Sequence, residues 1–347
     1  MQVFKLARMM RLILSMGCLA LTMALTTAHA QPADPAPCGT AASPACYVAF
    51  QPMPTGGQVH YYTSRHLGTA AANASPPTAA LIALHGHPRD APKTFNAALL
   101  AVRQAGALGS TVVVAPLFQV GADHASRCQA PGVPPAQAGD ALWTCQSWAE
   151  GAAALNSPGL TAFTTLDALI AELQRQWPSV RTVTVAGFSA GAQLVQHYIG
   201  FAADPAPGLA LRYVVASPGS WLYFDAARPA VPADAPPCAQ ANVWKYGTDQ
   251  LPPGLPRTAE QARAHYARAH ISYLAGANDS SDSPGAFYKI LDKSCAAQAQ
   301  GPYRLQRATT YATQDHRPLT VVPGCAHDVA CVFPSEAARA ALLGGER

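Results

Sequence analysis

A strand-to-helix junction at the centre of this 347-residue chain constrains its fold more than any other feature. Between Arg181 and Ile199, the β-branched run R-T-V-T-V-A stops at a glycine, and apolar residues at helical spacing begin two residues later. The junction itself reads Gly187-Phe188-Ser189-Ala190-Gly191, a G-x-S-x-G pentapeptide. In this context the pattern predicts a strained turn that holds Ser189 outward at the end of a buried strand, between glycines that leave room for close backbones.

The pentapeptide alone is a weak signal, because a chain with 26 glycines can contain it as an ordinary Gly/Ser turn. Its position strengthens it, since strand and helix patterns lie on both sides. Residues suited to assist a nucleophilic serine also occur downstream in a suitable order.

Strand and helix patterns alternate along the chain, which predicts an α/β fold with a mostly parallel central sheet and helices on both faces. An antiparallel hairpin, Cys46–Phe50 with Val59–Tyr62, comes first. Besides the strand of the junction, strands are predicted at 81–84, 111–116, 211–217, 271–275 and 319–322. Helices are predicted at 93–107, 161–176, 258–270, 284–297, 303–313 and 335–343. Two irregular Pro/Gly-rich stretches, 117–158 and 218–256, are predicted to form a cap or binding excursions.

The N-terminus has the pattern of a secretory signal peptide. Three basic residues precede an apolar run from Leu12 to Leu25, and residues 28–30 form an A-x-A cleavage site. We expect cleavage after Ala30, release to the periplasm or the medium, and a single domain over residues 31–347. No later stretch is apolar and long enough to indicate a membrane span.

Removal of the signal peptide would leave the chain nearly neutral. The segment carries three basic and no acidic residues, so the net charge would fall from +4 to +1. This balance gives no electrostatic reason to expect a nucleic-acid partner. The sequence does not indicate an oligomeric state.

The cysteines predict disulfide bonds. Eight of the nine follow residue 30, an even number in a chain that carries an export signal. Short loops close most readily, which favours Cys38 with Cys46, Cys128 with Cys145 and Cys325 with Cys331. Cys238 and Cys295 are then left to pair. A zinc site is the alternative, and it is disfavoured because the chain contains no C-x-x-C pair.

Two later loops supply candidate partners for Ser189. Asp279 follows one predicted strand in G-A-N-D, and His327 follows the last one in P-G-C-A-H-D. In a parallel sheet both loops open at the same edge as the serine. An imidazole can take the serine proton, and a carboxylate can orient the imidazole and stabilise its charged form. Asp282 is the alternative acid.

With these residues in place, the chain resembles the secreted serine esterases of the α/β-hydrolase superfamily from Leu81 to its C-terminus. G-F-S-A-G and the H-G-H at 85–87 carry most of the resemblance. A longer stretch, Y-V-V-A-S-P-G-S-W-L-Y-F-D from Tyr213 with W-K-Y-G from Trp244, is similar to exported bacterial and fungal hydrolases of undefined substrate.

The resemblance implies a role for each matching residue. Ser189 would be the nucleophile, Asp279 the acid and His327 the base. The backbone N–H groups of His87 and Ala190 would form the oxyanion hole. The resemblance thus predicts an exported enzyme that cleaves a small-molecule or polymeric carboxylic ester through an acyl-enzyme, without a cofactor. A peptidase, an amidase or an acyltransferase on the same fold is one alternative, and a non-catalytic secreted binding protein is another.

Two further groups have competing interpretations. His85 and His87 match the start of an H-x-H-x-D-H metal motif, but Arg89 and Asp90 occupy its aspartate and final histidine positions, so no metal is expected. Seven aromatic residues lie in the irregular stretches. As a group they would line an acyl or aryl pocket, whereas individually each is an ordinary core residue: Trp143, Trp148, Trp221, Tyr223, Phe224, Trp244 and Tyr246.

Overall fold

The computed structural model describes residues 37–65, 75–231, 236–283 and 285–344. The signal peptide predicted for residues 1–30 and its cleavage site lie outside the described residues and stay predictions. Within the described ranges, no helix combines the length and apolar character needed to cross a membrane.

The elements alternate along most of the chain. The strands are β1 (Tyr47–Phe50), β2 (Val59–Thr63), β3 (Ala79–Leu84), β4 (Thr111–Leu117), β5 (Gln119–Val120), β6 (Leu142–Trp143), β7 (Ala153–Ala154), β8 (Ser157–Thr161), β9 (Thr182–Phe188), β10 (Ala210–Ala216), β11 (His270–Gly276) and β12 (Leu319–Val322). The helices are α1 (Ala91–Gln104), α2 (Ala122–Cys128), α3 (Ala162–Gln176), α4 (Ala190–Phe201), α5 (Ala259–Arg268), α6 (Cys295–Gln298), α7 (Arg304–Gln314), α8 (Val329–Val332) and α9 (Glu336–Leu343). Short 3₁₀ turns occupy Pro37–Gly39, Pro44–Cys46, Ser147–Glu150 and Tyr288–Ile290.

The central sheet has the strand order β1-β2-β4-β3-β9-β10-β11-β12. From β4 to β12 neighbouring strands are parallel, whereas β1, β2 and β4 pair antiparallel. The predicted mostly parallel sheet is confirmed. The chain runs from β3 outward to β4 and later returns to β9 on the other side of β3. The carboxyl ends of β3 and β9 therefore flank a topological switch point, where open α/β sheets bind their ligands.

The inner strands are buried on both faces, which explains their continuous apolar runs. On β4, Val112 and Val114 belong to one hydrophobic cluster, and Val113 and Ala115 belong to the other. The first cluster includes side chains of α3, α4, α5 and α7. The second includes side chains of α1, α8 and α9. Helices thus cover both faces, as the alternating sequence pattern predicts.

The helix predicted at 284–297 is wrong. Gly285 and Phe287 have φ values of +89° and +48°, in the left-handed region that an α-helix does not use. Among the described residues of this segment, only the 3₁₀ turn Tyr288–Ile290 and the four-residue α6 form.

The stretch 117–158 is more ordered than its composition predicts. It contains α2, a parallel β5–β6 pair and an antiparallel β7–β8 pair. The buried guanidinium of Arg89 fixes it, because Nε donates to Phe118 O at 2.7 Å, Nη1 to Cys128 O at 3.3 Å and Nη2 to Thr144 O at 2.7 Å. The arginine thereby ties this stretch to the loop that follows β3.

Disulfides join the eight cysteines of the described chain in the predicted pairs: Cys38–Cys46, Cys128–Cys145, Cys238–Cys295 and Cys325–Cys331. Disulfides persist in oxidising compartments. The set therefore indicates an extracellular or periplasmic protein.

Candidate active site

Ser189 lies on a strained turn between β9 and α4. Its φ of 58° and ψ of −120° are rarely adopted by a residue with a side chain. A Cβ on Gly187 would overlap the carbonyl group of Gly191, and a Cβ on Gly191 would lie 2.5 Å from the carbonyl oxygens of Leu84 and His85. Both glycines of the pentapeptide are therefore required by close backbone packing, as the sequence predicts.

The structure brings Ser189, His327 and Asp279 together in one hydrogen-bonded row. His327 Nε2 lies 2.8 Å from Ser189 Oγ, and His327 Nδ1 lies 2.7 Å from Asp279 Oδ2. Asp282, the alternative acid, is exposed, whereas Asp279 is only 1% exposed. The acid that contacts the imidazole is thus the one directly after β11.

Burial sets the charge of the imidazole. His327 is 7% exposed, and desolvation lowers its pKa below the usual 6.5, although the hydrogen bond to Asp279 opposes this change. The ring is therefore neutral at neutral pH. With Nδ1–H donating to the carboxylate, Nε2 is free to accept the serine proton.

Close packing joins the loops that carry the acid and the histidine. Gly276 ends β11, and a Cβ there would lie 2.5 Å from the carbonyl oxygens of Cys325 and Ala326. Asn278 N–H donates to Cys325 O at 2.8 Å, and His327 N–H donates to Gly285 O at 3.1 Å. The Cys325–Cys331 disulfide closes a ring of chain that contains the histidine.

A cavity of about 260 Å³ opens beside the serine. Four charged residues line it, namely Glu150, Lys245, Asp292 and Arg304. Lys245 Nζ lies 3.2 Å from Glu150 Oε1 and 3.7 Å from Asp292 Oδ2. The remaining lining residues are His87, Cys145, Gln146, Ala149, Ser189, Ala190, Gln193, Gly219, Ile290 and Leu291.

The prediction that the seven aromatic residues of the irregular stretches line the substrate pocket is wrong. Among the described residues, none of the seven lines this cavity. Trp143, Trp148, Trp221 and Tyr223 are at most 1% exposed. Large aromatic rings gain more from core packing than from a polar cleft. The alternative interpretation, that each aromatic residue is an ordinary core residue, fits these four.

The two histidines after β3 have different surroundings. His85 is fully buried, accepts the Phe118 N–H at Nε2 (3.2 Å) and has Nδ1 2.8 Å from Gly86 O. Burial lowers the pKa of His85 to about 3, so it is a neutral packing residue. His87 lines the cavity together with Ser189 and Ala190. No group of three potential metal ligands occurs among the described side chains.

Sequence reasoning missed the four charged residues of the cavity. All four lie far along the chain from Ser189. Glu150, Asp292 and Arg304 lie in stretches without a motif, and the W-K-Y-G similarity that contains Lys245 assigned it no role. Arg304 is the most notable, since its guanidinium is buried against Asp279. Only the tertiary fold reveals these neighbours.

No protein-family model and no curated protein matches this sequence. Solved structures do match. Poly(aspartic acid) hydrolase-1 from Sphingomonas sp. KT-1 superposes with a TM-score of 0.53 at 17% identity, over 85% of this chain and 97% of that chain. LpqC, the poly(3-hydroxybutyrate) depolymerase from Bordetella parapertussis, superposes with a TM-score of 0.54 at 19% identity, over 84% of this chain and 85% of that chain. These matches, together with the sheet order and the serine turn, show that the chain has the α/β-hydrolase fold.

Proposed function

We propose that the protein is an exported serine hydrolase that cleaves carboxylic esters through an acyl-enzyme. The observation that carries the proposal is the row Ser189 Oγ, His327, Asp279, with contacts of 2.8 and 2.7 Å. A serine hydroxyl becomes a nucleophile when a neutral imidazole accepts its proton, and a buried carboxylate stabilises the imidazolium that results.

The proposed reaction begins from these contacts. Ser189 Oγ attacks the ester carbonyl while His327 Nε2 takes its proton, and the tetrahedral oxyanion is stabilised by the N–H groups of His87 and Ala190. His327 then returns the proton to the leaving alcohol, which leaves an acyl group on Ser189. Water attacks that acyl group by the same route, and the free serine is restored.

The cavity supports a preference for short, polar substrates. Its volume of about 260 Å³ is slightly below the 300–1,000 Å³ that is typical of small-molecule pockets. The charged group of Glu150, Lys245 and Asp292 lines it, and a long alkyl chain would desolvate these charges without replacing their hydrogen bonds. Acetyl and butyryl esters should therefore turn over faster than octanoyl esters.

The test is hydrolysis of nitrophenyl esters of rising chain length, beside a nitroanilide of the same acyl group, by the purified protein and by Ser189→Ala. We expect ester turnover that falls as the acyl chain lengthens, little amide turnover, and loss of both activities in Ser189→Ala. Faster anilide than ester cleavage would favour the amidase. A wild type inactive on both, with no fluorophosphonate label, would favour a binding protein. Loss of activity in EDTA would point to a metal enzyme.

A further inference from the structure

The first turn of α7 holds the backbone and the side chain of the candidate acid. Leu305 N–H donates to Asp279 O at 3.0 Å. Arg304 Nη1 lies 3.4 Å from Asp279 Oδ1 and donates to Ala286 O at 2.6 Å. The arginine thus links Asp279, near the start of the loop that follows β11, to Ala286 farther along that loop.

The two carboxylate oxygens of Asp279 have different partners. Oδ2 faces His327 Nδ1, and Oδ1 faces the Arg304 guanidinium. The side chains of Asp279 and Arg304 are 2% and 4% exposed. Where side chains are this well shielded from water, an ion pair strongly restrains the rotation of a carboxylate.

We propose that Arg304 is a positioning residue, which holds the Asp279 carboxylate so that Oδ2 points at His327 Nδ1. The inference rests on the proposed function, because it assigns a role within the same catalytic row. Arg304 also lines the cavity next to Ser189, and its buried Nε has no acceptor within the described part of the chain.

Arg307 provides a comparison within the same helix. It is also buried, and its guanidinium donates to three backbone carbonyl groups, those of Gly219, Asp292 and Gly301. These hydrogen bonds connect separate loops, and none of them is to Ser189, His327 or Asp279. Arg304 differs because one of its acceptors is the catalytic acid itself.

The charge of Arg304 also acts on the base. Among the residues that the structure describes, the charged groups that act on His327 are Asp279, Arg304 and Asp328, and Lys93 pairs with Asp328 at 2.8 Å. Arg304 lowers the pKa of His327, because a nearby cation disfavours the imidazolium, while the two aspartates raise it. Loss of the guanidinium charge should therefore shift the acidic limb of the kcat/KM profile to higher pH.

The test compares Arg304→Gln, Arg304→Lys and the control Arg307→Gln on nitrophenyl butyrate. Arg304→Gln should lower kcat by about 10- to 100-fold, since a misplacement of about 1 Å costs on the order of 10²-fold, with KM nearly unchanged. It should also shift the acidic limb of the kcat/KM profile to higher pH. Arg304→Lys restores the cation and should recover part of kcat and the original limb. Arg307→Gln should lower Tm without moving the limb.

A wild-type kcat and limb in Arg304→Gln would overturn the inference. The inference would also be overturned if Arg304→Gln lost activity only in proportion to its drop in Tm and left the acidic limb of the kcat/KM profile unmoved, as expected of Arg307→Gln. If Arg304→Gln does not fold, Arg304→Lys decides: an unchanged limb with partial kcat supports positioning, and full kcat contradicts it. Activity that persists in Ser189→Ala would instead refute the proposed function, so the two failures are distinguishable.

Discussion

The strained backbone of Ser189 predicts an unusual order of stability among its variants. At φ 58° and ψ −120°, a residue with a Cβ carries a strain of about 1–3 kcal/mol, which glycine does not. Ser189→Ala and Ser189→Gly both remove the hydroxyl and its 2.8 Å contact with His327. The difference in stability between them therefore isolates the Cβ.

At an unstrained position glycine is less stable than alanine by about 0.5–1 kcal/mol. Here relief of strain should reverse that order, and Ser189→Gly should be more stable than Ser189→Ala by about 1 kcal/mol. In a chain of this size the difference corresponds to about 2 °C in Tm. Urea unfolding of the two variants, followed by tryptophan fluorescence with the disulfides intact, measures it. An alanine variant at least as stable as the glycine variant would refute the argument that the turn is strained.

Three further predictions concern the rest of the row. Asp279→Asn should lower kcat by about 10⁴-fold, whereas Asp282→Asn, at an exposed site, should not; steady-state kinetics that reverse this ranking would move the acid. Because burial lowers the pKa of His327, kcat/KM should rise with pH through an apparent pKa below 6.5 as the imidazole loses its proton, and a profile flat over the acid range would contradict a histidine base. Replacing Cys325 and Cys331 together by serine should lower kcat markedly but Tm only slightly. A ring this short stabilises the fold little through loop entropy, but it limits where the imidazole lies. A double variant with the kcat of the wild type, measured beside its melting curve, would contradict this.

Local sequence signals predicted the elements that hold the serine, the acid and the histidine. The glycines of the pentapeptide, the β-branched strands and the loops after them follow rules that act over a few residues, and the sheet then brings the strand ends together. Short separations along the chain likewise predicted three disulfides, and the fourth, Cys238–Cys295, followed by elimination.

The errors arose where tertiary contacts override local pattern. The stretch 284–297 has helical composition, but left-handed residues at Gly285 and Phe287 prevent a helix. Arg304 lies 25 positions along the chain from Asp279. Its residue type and its sequence surroundings resemble those of Arg307, which lies three residues later in the same helix. Only the fold separates a guanidinium that faces the acid from one that faces carbonyl groups.

The most direct test of the central claim is the site of covalent labelling. The wild-type protein would be treated with a fluorophosphonate, digested and analysed by mass spectrometry, with residual hydrolysis of nitrophenyl butyrate measured on the same samples. The account predicts one phosphonyl group per chain on Ser189, loss of activity in proportion to labelling, and no label on Ser189→Ala. A label on another residue, or full hydrolysis in Ser189→Ala, would contradict it.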